Sequence, residues 1–380
     1  MADPTLVYPQ VKLTLTPASG SSSIDVTPWV RSLRWSDSSE QLNSMSVTLV
    51  VPEADDLGDD TLDDFQTMVF LPGGSFKLEF YEHPTGSTPS TTLAIDPAPT
   101  GDIVSVRHGL TVDGRWTVAL TGLESLHRLK GINITSVPDG TATVEVADLI
   151  AECGEEVKAT GKLEGKSYAE DTPIILDQSK LALLKQIADR SNQRIVWDPE
   201  AKQIALKDRD PSEDVTVTWG FDLKEINMTL DLSQVATAVE VMGLQPLGKE
   251  DLNVNITAVK LTRQSSDFLG TDLRKSAFGA NKVTEQSWGQ AWPVGFPNTK
   301  DNLMTRANAV MQNLSDKFVM GSLSCLGKLK ASQDCTVTVA EAPWPYKGTF
   351  VISDVTHTYS PDDGITTEIT FYSNSLAAKT

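Results

Sequence analysis

The chain writes one hairpin twice, and this repetition limits what it can fold into. Gly101–Thr121 reads GDIVSVRHGLTVDGRWTVALT, and Gly348–Phe371 reads GTFVISDVTHTYSPDDGITTEITF. Each opens on Gly, runs along a Val-rich strand to a Val-x-His, turns at Asp-Gly and returns through a Thr-bearing strand. Asp-Gly suits a tight hairpin turn because both residues tolerate positive φ. Hairpins share this vocabulary widely, so one match alone carries little. A second unit, however, recurs in the same order. VRSLRWSDSSEQL from Val30 and LKEINMTLDLSQV from Leu223 align without gaps, pairing Val30 with Leu223, Leu33 with Ile226, Trp35 with Met228, Gln41 with Gln234 and Leu42 with Val235. Each is followed by an apolar strand, SVTLVV or AVEVMG. Two units in matching order predict a duplicated β domain.

Period-two alternation dominates the rest of the chain. VKLTLT (Val11–Thr16), SMSVTLVV (Ser44–Val51), FKLEFY (Phe76–Tyr81) and VTVTW (Val215–Trp219) place apolar and polar groups on opposite faces, as half-buried antiparallel strands do. Helical spacing is confined to few stretches. Ser179 is a candidate N-cap for a helix stacking Leu181, Leu184, Ile187 and Ala188, and a second helix stacks Leu303, Ala307, Val310 and Leu314. A shorter one is expected over Val146–Glu152. The expected fold class is mainly β with α+β insertions: two similar antiparallel β-barrels plus inserted domains.

Spacing places the insertions. From Val30 to Gly101 is 71 residues and from Leu223 to Gly348 is 125, an excess of 54 that matches the Gly-, Ser- and Asn-rich stretch 261–314. The chain of 380 residues therefore divides into a first barrel at 1–127, an inserted α+β domain at 128–212, a second barrel at 213–260 and 315–376, and an insertion lobe at 261–314. The inserted domain carries the hairpin RIVWDPEAKQIALKD around Asp198-Pro199.

Bulk properties remove several function classes. A net charge of −19 argues against nucleic-acid binding, which needs a basic face. Three cysteines, Cys153, Cys325 and Cys335, have no metal-ligand spacing, and reduced packing thiols are expected. No apolar run reaches the length of a membrane span, and MADPTLVYPQ lacks the features of a secretory signal, so assembly in the cytoplasm is the expectation.

No residue is nominated for catalysis, cofactor binding or metal binding. His83, His108, His127 and His357 are few and scattered, and His108 and His357 occupy matching places in the repeat, where a structural imidazole is expected. EADDLGDDTLDDF (Glu53–Phe65) lacks the order of a calcium loop and reads as a solvated acidic segment. Glu124, Asp177 and Asp198 each have a cap or turn explanation, so no pair of carboxylates stands out for glycoside cleavage. Trp29, Trp35, Trp116 and Trp219 fall on or beside strands, where core packing is expected.

The layout and several segments resemble the baseplate hub proteins of contractile tails, the phage late control D family and the N-terminal part of the valine-glycine repeat G proteins of type VI secretion. GLESLHRLKG (Gly122–Gly131) with TSVPDGTATVEVADLIAECG resembles the exit from the first barrel. LDQSKLALLKQIADRSNQRIVWDPEAKQIALKD resembles the helix and hairpin of the inserted domain. ANAVMQNLSDKFVMGSLSCLGKLKASQDCTVTV with YKGTFVISDVTHTYSPDDGITTEITFYSN resembles the C-terminal barrel. The resemblance implies tail-tube-like barrels and a structural, non-enzymatic virion component without cofactors. It also implies a homotrimer whose pseudo-sixfold ring joins the hexameric tail tube, or a tube initiator, to the trimeric central spike. Baseplate wedge proteins complete the implied partners, with no sequence-specific nucleic acid and no stable membrane insertion. The secretion-system members continue into a needle on the same chain, whereas this sequence ends at Thr380, so a separate spike protein is expected. A passage through the ring is expected to be electronegative or neutral. The alternatives are the hub of an extracellular contractile injection system, a tail-associated cell-wall hydrolase or glycosidase, and a carbohydrate-binding adhesin.

Overall fold

The computed structural model describes residues 11–18, 22–38, 41–50, 71–81, 92–110, 116–131, 143–144, 172–173, 179–190, 193–198, 203–208, 213–242, 253–256, 268–286, 300–333 and 335–378. The first half contributes β1 (Val11–Thr16), β2 (Ile24–Asp25), β3 (Val30–Ser38), β4 (Ser44–Val50), β5 (Ser75–Phe80), β6 (Thr100–Leu110) and β7 (Trp116–Glu124). The middle block holds β8 (Thr143–Val144), β9 (Thr172–Pro173), helix α1 (Lys180–Arg190) and the hairpin β10 (Gln193–Asp198)–β11 (Gln203–Asp208). The second half begins with β12 (Glu213–Thr218) and β13 (Leu223–Leu230). A lobe follows with β14 (Ala238–Met242), β15 (Asn253–Ile256), β16 (Phe268–Leu269), helix α2 (Gly270–Phe278), β17 (Lys282–Gln286) and helix α3 (Lys300–Ser315). The chain closes with β18 (Val319–Leu326), β19 (Cys335–Ala340), β20 (Gly348–Ser360), β21 (Gly364–Ser373) and β22 (Ser375–Leu376).

The fold is mainly β, as the alternation requires. Thirteen strands form one sheet whose path runs β13-β18-β21-β20-β3-β4-β7-β6-β5-β1-β2, with β19 beside β20 and β12 beside β19. Each half packs around its own core. In the first, Val11, Leu13 and Leu15 of β1 point inward alternately and meet Met45, Val47, Leu49, Phe76, Leu78 and Phe80. In the second, Val337 and Val339 meet Leu323, Phe350, Ile369 and Phe371.

The duplication is written into the backbone. β3 carries a bulge between Val30 and Ser32 opposite β4, and β13 carries one between Leu223 and Glu225 opposite β18. β6 is bulged between Ile103 and Ser105 opposite β7, and β20 between Ile352 and Asp354 opposite β21. A bulge is fixed by local twist and register, so these marks align the halves: Arg31 with Lys224, Ile103 with Ile352 and His108 with His357. On this alignment Gly101 and Gly348 fall two residues out of step, since the strand before the bulge is longer in the second half. The counterpart of β4 is β18, not the AVEVM strand that the sequence suggests. β14, with Val239 and Val241 buried, joins β15 and β17 in a separate three-stranded sheet under Ala307 and Met311 of α3. β14 thus stands apart from the main sheet, within the stretch that the spacing argument assigns to the second barrel.

The two cores fill equivalent space with different side chains. In the first half Phe76 lies over Gly101 and Gly122, where an added Cβ would come within 2.8 and 2.5 Å of its ring. In the second half the positions of Gly101 and Gly122 are held by Phe350 and Phe371, stacked at 4.7 Å, and Phe76 becomes Val337. Phe371 in turn occupies the space above Gly321, the counterpart of Met45, where a Cβ would sit 2.5 Å from the ring. Bulk has moved between strands while volume is conserved, which close-packed interiors demand.

One strand breaks the pattern. β12 pairs with β19 in parallel, whereas β5, the counterpart of β19, meets β1 antiparallel. β2, which stands where β12 stands relative to the next strand, pairs antiparallel with β1 and so runs parallel to β5. β1 is thus an additional strand wedged into the first half. Among the other expected elements, α1 is capped by Ser179, whose Oγ accepts the Ala182 amide at 3.2 Å, and buries Leu181, Leu184 and Ala188. The Val146–Glu152 helix lies outside the described residues.

Candidate functional site

No cluster of three or more potential metal ligands occurs among the described residues, and the molecule's distinctive surfaces are sheet edges. The central one is already closed. β20 pairs with β21 along its length; on its other side its first part meets β19 and its second part meets β3. The β3 register sets Tyr359 opposite Leu33, His357 opposite Trp35, Val355 opposite Asp37 and Asp354 opposite Ser38. This seam joins the halves into one sheet.

Its two faces differ chemically. On the apolar face Leu33, Trp35, Val355 and His357 are all buried. The His357 ring packs at a tilt against Phe80 of the opposite half, centroids 5.2 Å apart, and its Nδ1 and Nε2 lie 3.0 and 3.2 Å from Thr367 Oγ1 and the Ala331 carbonyl. The carbonyl can only accept, so Nε2 carries the proton and Nδ1 accepts from the threonine hydroxyl. Burial lowers its pKa to about 4 against a small opposing pull from that carbonyl, and the ring is neutral at physiological pH. This is the structural imidazole expected from the sequence. On the polar face Ser36 and Thr356 hydroxyls lie 3.2 Å apart, and Ser38 Oγ donates to Asp354 at 2.5 Å. Nearby, Gln333 of the second half donates to both oxygens of Asp37, at 2.7 and 3.2 Å.

The counterpart strands have no such closure among the described residues. β5 reaches β6 only at Thr100–Asp102, leaving Val104–Leu110 with β7 on one side and no strand on the other. β13 ends the sheet path; Leu223 bridges Trp219, and among the described residues Ile226–Leu230 pairs only with β18. The environments follow. His108, unlike His357, is exposed, its ring 6.2 Å from Trp116. Leu110 is 77% exposed and Leu230 45%. Of the four tryptophans whose strand positions predict core packing, Trp35 is buried and Trp29 half-buried, but Trp116 and Trp219 are 38% and 47% exposed. Trp116 sits on the open side of the first half, where the hairpin pattern gives no sign that the strand ends in solvent.

A cleft of about 1260 Å³ opens beside the seam, walled by the ends of β3 and β7, by β20 and by α1 and β10. Its lining includes the carboxylates Asp37, Glu124 and Asp354 and the cations Arg194 and Lys330. Glu124 has a cap or turn explanation in the sequence. It does precede the short 3₁₀ turn Ser125–Lys130, but its side chain makes no capping bond. Its carboxyl instead faces the cleft, where withdrawal from water, then the charge of Asp37, push its pKa up to about 8, with the Asn43 backbone opposing. Withdrawal from water also raises Asp37, while Gln333 and Arg194 hold it down. Glu124 can therefore donate a hydrogen bond at neutral pH, and Asp37 serves as the clasp between halves. His127 lies close by, with Nδ1 3.0 Å from the Glu124 carbonyl and 3.5 Å from Asp102, which also takes two 2.8 Å bonds from Arg128. Asp198 closes β10, whereas His83, Glu53–Phe65, Asp177 and Cys153 lie outside the described residues. Cys325 and Cys335 are both free and buried.

No family model matches the chain, and no curated protein matches it in sequence. Solved structures do. The 43 kDa tail protein of prophage MuSo2 from Shewanella oneidensis superposes with a TM-score of 0.62 at 11% identity, covering 95% of this chain and 98% of that one. A tail protein from Neisseria meningitidis gives 0.60 at 12% identity, covering 96% and 97%. The chain has the fold of phage tail proteins. A chain of the Francisella PdpA–VgrG complex gives 0.51 at 8% identity, over 97% of this chain and 59% of that one. At such identities the likeness concerns backbone architecture, not residue roles.

Proposed function

We propose that the chain is the structural hub of a contractile tail, a homotrimer in which six similar halves form a ring between the hexameric tail tube and the trimeric central spike. The observation that carries this reading is the seam: one chain already holds two equivalent halves side by side in a single sheet, one-third of such a ring. Three copies present sixfold-like contacts to a tube and threefold contacts to a spike, and a duplicated subunit reconciles the two symmetries. We assign the halves to 1–127 and to 213–237 with 315–376, the intervening α+β block to 128–212, and the lobe to the segment between the two parts of the second half. The halves are tail-tube-like, and the insertions lie outside the ring wall.

The partners on this reading are a second and third copy, the tail tube or a tube initiator, the spike and baseplate wedge proteins. Its location is the tail baseplate. The role is assembly without catalysis, and the net charge of −19 suits a surface past which polyanions slide without adhering. Native mass measurement and electron microscopy of the purified chain test it: rings of three copies are expected, and assemblies of one or six copies only would overturn it. The hub of an extracellular injection particle is the same device in another setting, distinguished by whether capsid genes neighbour the gene. The cleft favours one further reading, a cell-wall hydrolase using protonated Glu124 beside Asp37. Peptidoglycan clearance abolished by Glu124→Gln would establish that reading; no clearance is expected.

A further inference from the structure

The two open strands are the counterparts of two strands that already pair inside the chain. The bulges align Asp354–Tyr359 of β20 with Ser105–Leu110 of β6, and the repeat aligns Leu33–Ser38 of β3 with Ile226–Asp231 of β13. We propose that Ser105–Leu110 of one copy pairs antiparallel with Ile226–Asp231 of the next, in the register of the seam: Leu110 opposite Ile226, His108 opposite Met228, Arg107 opposite Thr229 and Ser105 opposite Asp231. This rests on the ring reading for the number of copies, and adds which edges meet and how.

Three observations carry it. First, the residues at these edges are more exposed than their buried seam counterparts, yet remain apolar. Val355 and His357 are buried where Val106 is half-buried and His108 exposed, and Leu33 and Trp35 are buried where Ile226 and Met228 are half-buried. Leu110 at 77% exposure is the extreme case. Second, the register sorts chemistry by face. Val106, His108 and Leu110 would lie with Ile226, Met228 and Leu230 on one face, beside Trp116 across from Leu110. Ser105 and Arg107 would lie with Thr229 and Asp231 on the other. A slip of one residue would mix the faces, because side chains alternate. Third, the hydroxyl–carboxylate bond of the seam survives with its partners exchanged. Ser38 of β3 binds Asp354 of β20; their counterparts are Asp231 of β13 and Ser105 of β6. Arg107 is then diagonal to Asp231, within reach for an ion pair. Two open edges of this length in one chain are otherwise an aggregation hazard; here each is the other's complement.

The test mixes two single variants, Arg107→Cys and Thr229→Cys, under mild oxidation and maps linked peptides. Directly paired residues stand about 5 Å apart, within disulfide reach, while partners two residues out of register stand about 7–8 Å apart. Position 107 linked to 229 is expected, with loss of that link when Asn227→Cys replaces Thr229→Cys. Linkage of 107 to 107 or 229 to 229 would overturn the proposal in favour of a two-fold contact. Trimers by native mass without a 107–229 link would overturn the register while leaving the ring reading intact; absence of trimers at every concentration would overturn both. Hydrogen exchange on the unmodified chain gives an independent readout: amides of 105–110 and 226–231 should slow together on association, and unchanged exchange in the trimer would refute the pairing.

Discussion

Glu124 and His357 are two groups whose protonation state the fold sets against habit, and they act on stability in opposite directions. Glu124, raised from 4.5 to about 8, is protonated when folded and ionised when unfolded over that interval. Its contribution is full below about pH 4.5 and is lost as pH rises through 8. His357, lowered from 6.5 to about 4, stays neutral while the unfolded imidazole takes a proton. Its contribution is present above 6.5 and lost as pH falls toward 4. Between 4.5 and 6.5 the two slopes oppose each other; from 6.5 to 8 that of Glu124 stands without His357, at most about 1.4 kcal/mol per pH unit. Urea midpoints should therefore fall from pH 6.5 to 8 in the native chain and hold nearly level in Glu124→Gln; equal slopes in both would contradict this. The thiols give a second expectation. Burial, with the charge of Asp222, pushes Cys325 up to about 12, and its Sγ lies 3.5 Å from the Thr367 carbonyl. A thiol so placed is a poor nucleophile. Maleimide labelling at pH 8 should leave Cys325 unmodified until denaturant is added, and rapid native labelling would refute it. None of this was readable from composition: a half-buried carboxyl beside Asp37 depends on how strand ends converge, which local spacing does not encode.

At the scale of elements, the sequence announces strands clearly and their partners poorly. The alternation in β1, β4, β5 and β12 marks strands because each has one wet and one dry face. Helix α1 is marked by its cap and apolar stripe. What local pattern cannot supply is the choice of neighbour: AVEVM alternates as a strand of the main sheet would, yet it packs beneath α3, and the parallel contact of β12 with β19 has no local signature. The repeat shows where such ambiguity was resolved twice. Phe76 over Gly101 and Gly122 in one half, against Val337 under Phe350 and Phe371 in the other, are two solutions to one packing problem. Gly122→Ala should therefore destabilise by about 2–4 kcal/mol, because its Cβ would overlap the Phe76 ring at 2.5 Å. Phe76→Val opens that space, so the double variant should be more stable than the sum of the single losses implies, by about 1 kcal/mol or more. Strict additivity in denaturant unfolding would show that the ring and the glycine do not share the site.

For the whole molecule the seam decides cooperativity. Leu329 and Ile365 of the second half belong to the core of the first, and His357 leans on Phe80. Because residues of the second half complete the core of the first, the halves should melt together: near- and far-ultraviolet signals are expected to report one coincident transition, and Trp35→Ala to lower it as a unit. Two separated transitions would mean the halves are independent domains held only by chain. The seam has another consequence, one of angular tolerance. Within the chain the setting of one half against the other is held by the clasp of Gln333 on Asp37 and of Ser38 on Asp354. A head-to-tail series closes only if its steps sum to a full turn, and otherwise climbs into an open filament. In the proposed ring the setting of the halves within one chain acts as a gauge for the steps between copies. For that proposed ring, loosening the clasp at Asp37 is expected to give helical fibres in place of closed rings, which electron microscopy of Asp37→Ala would check.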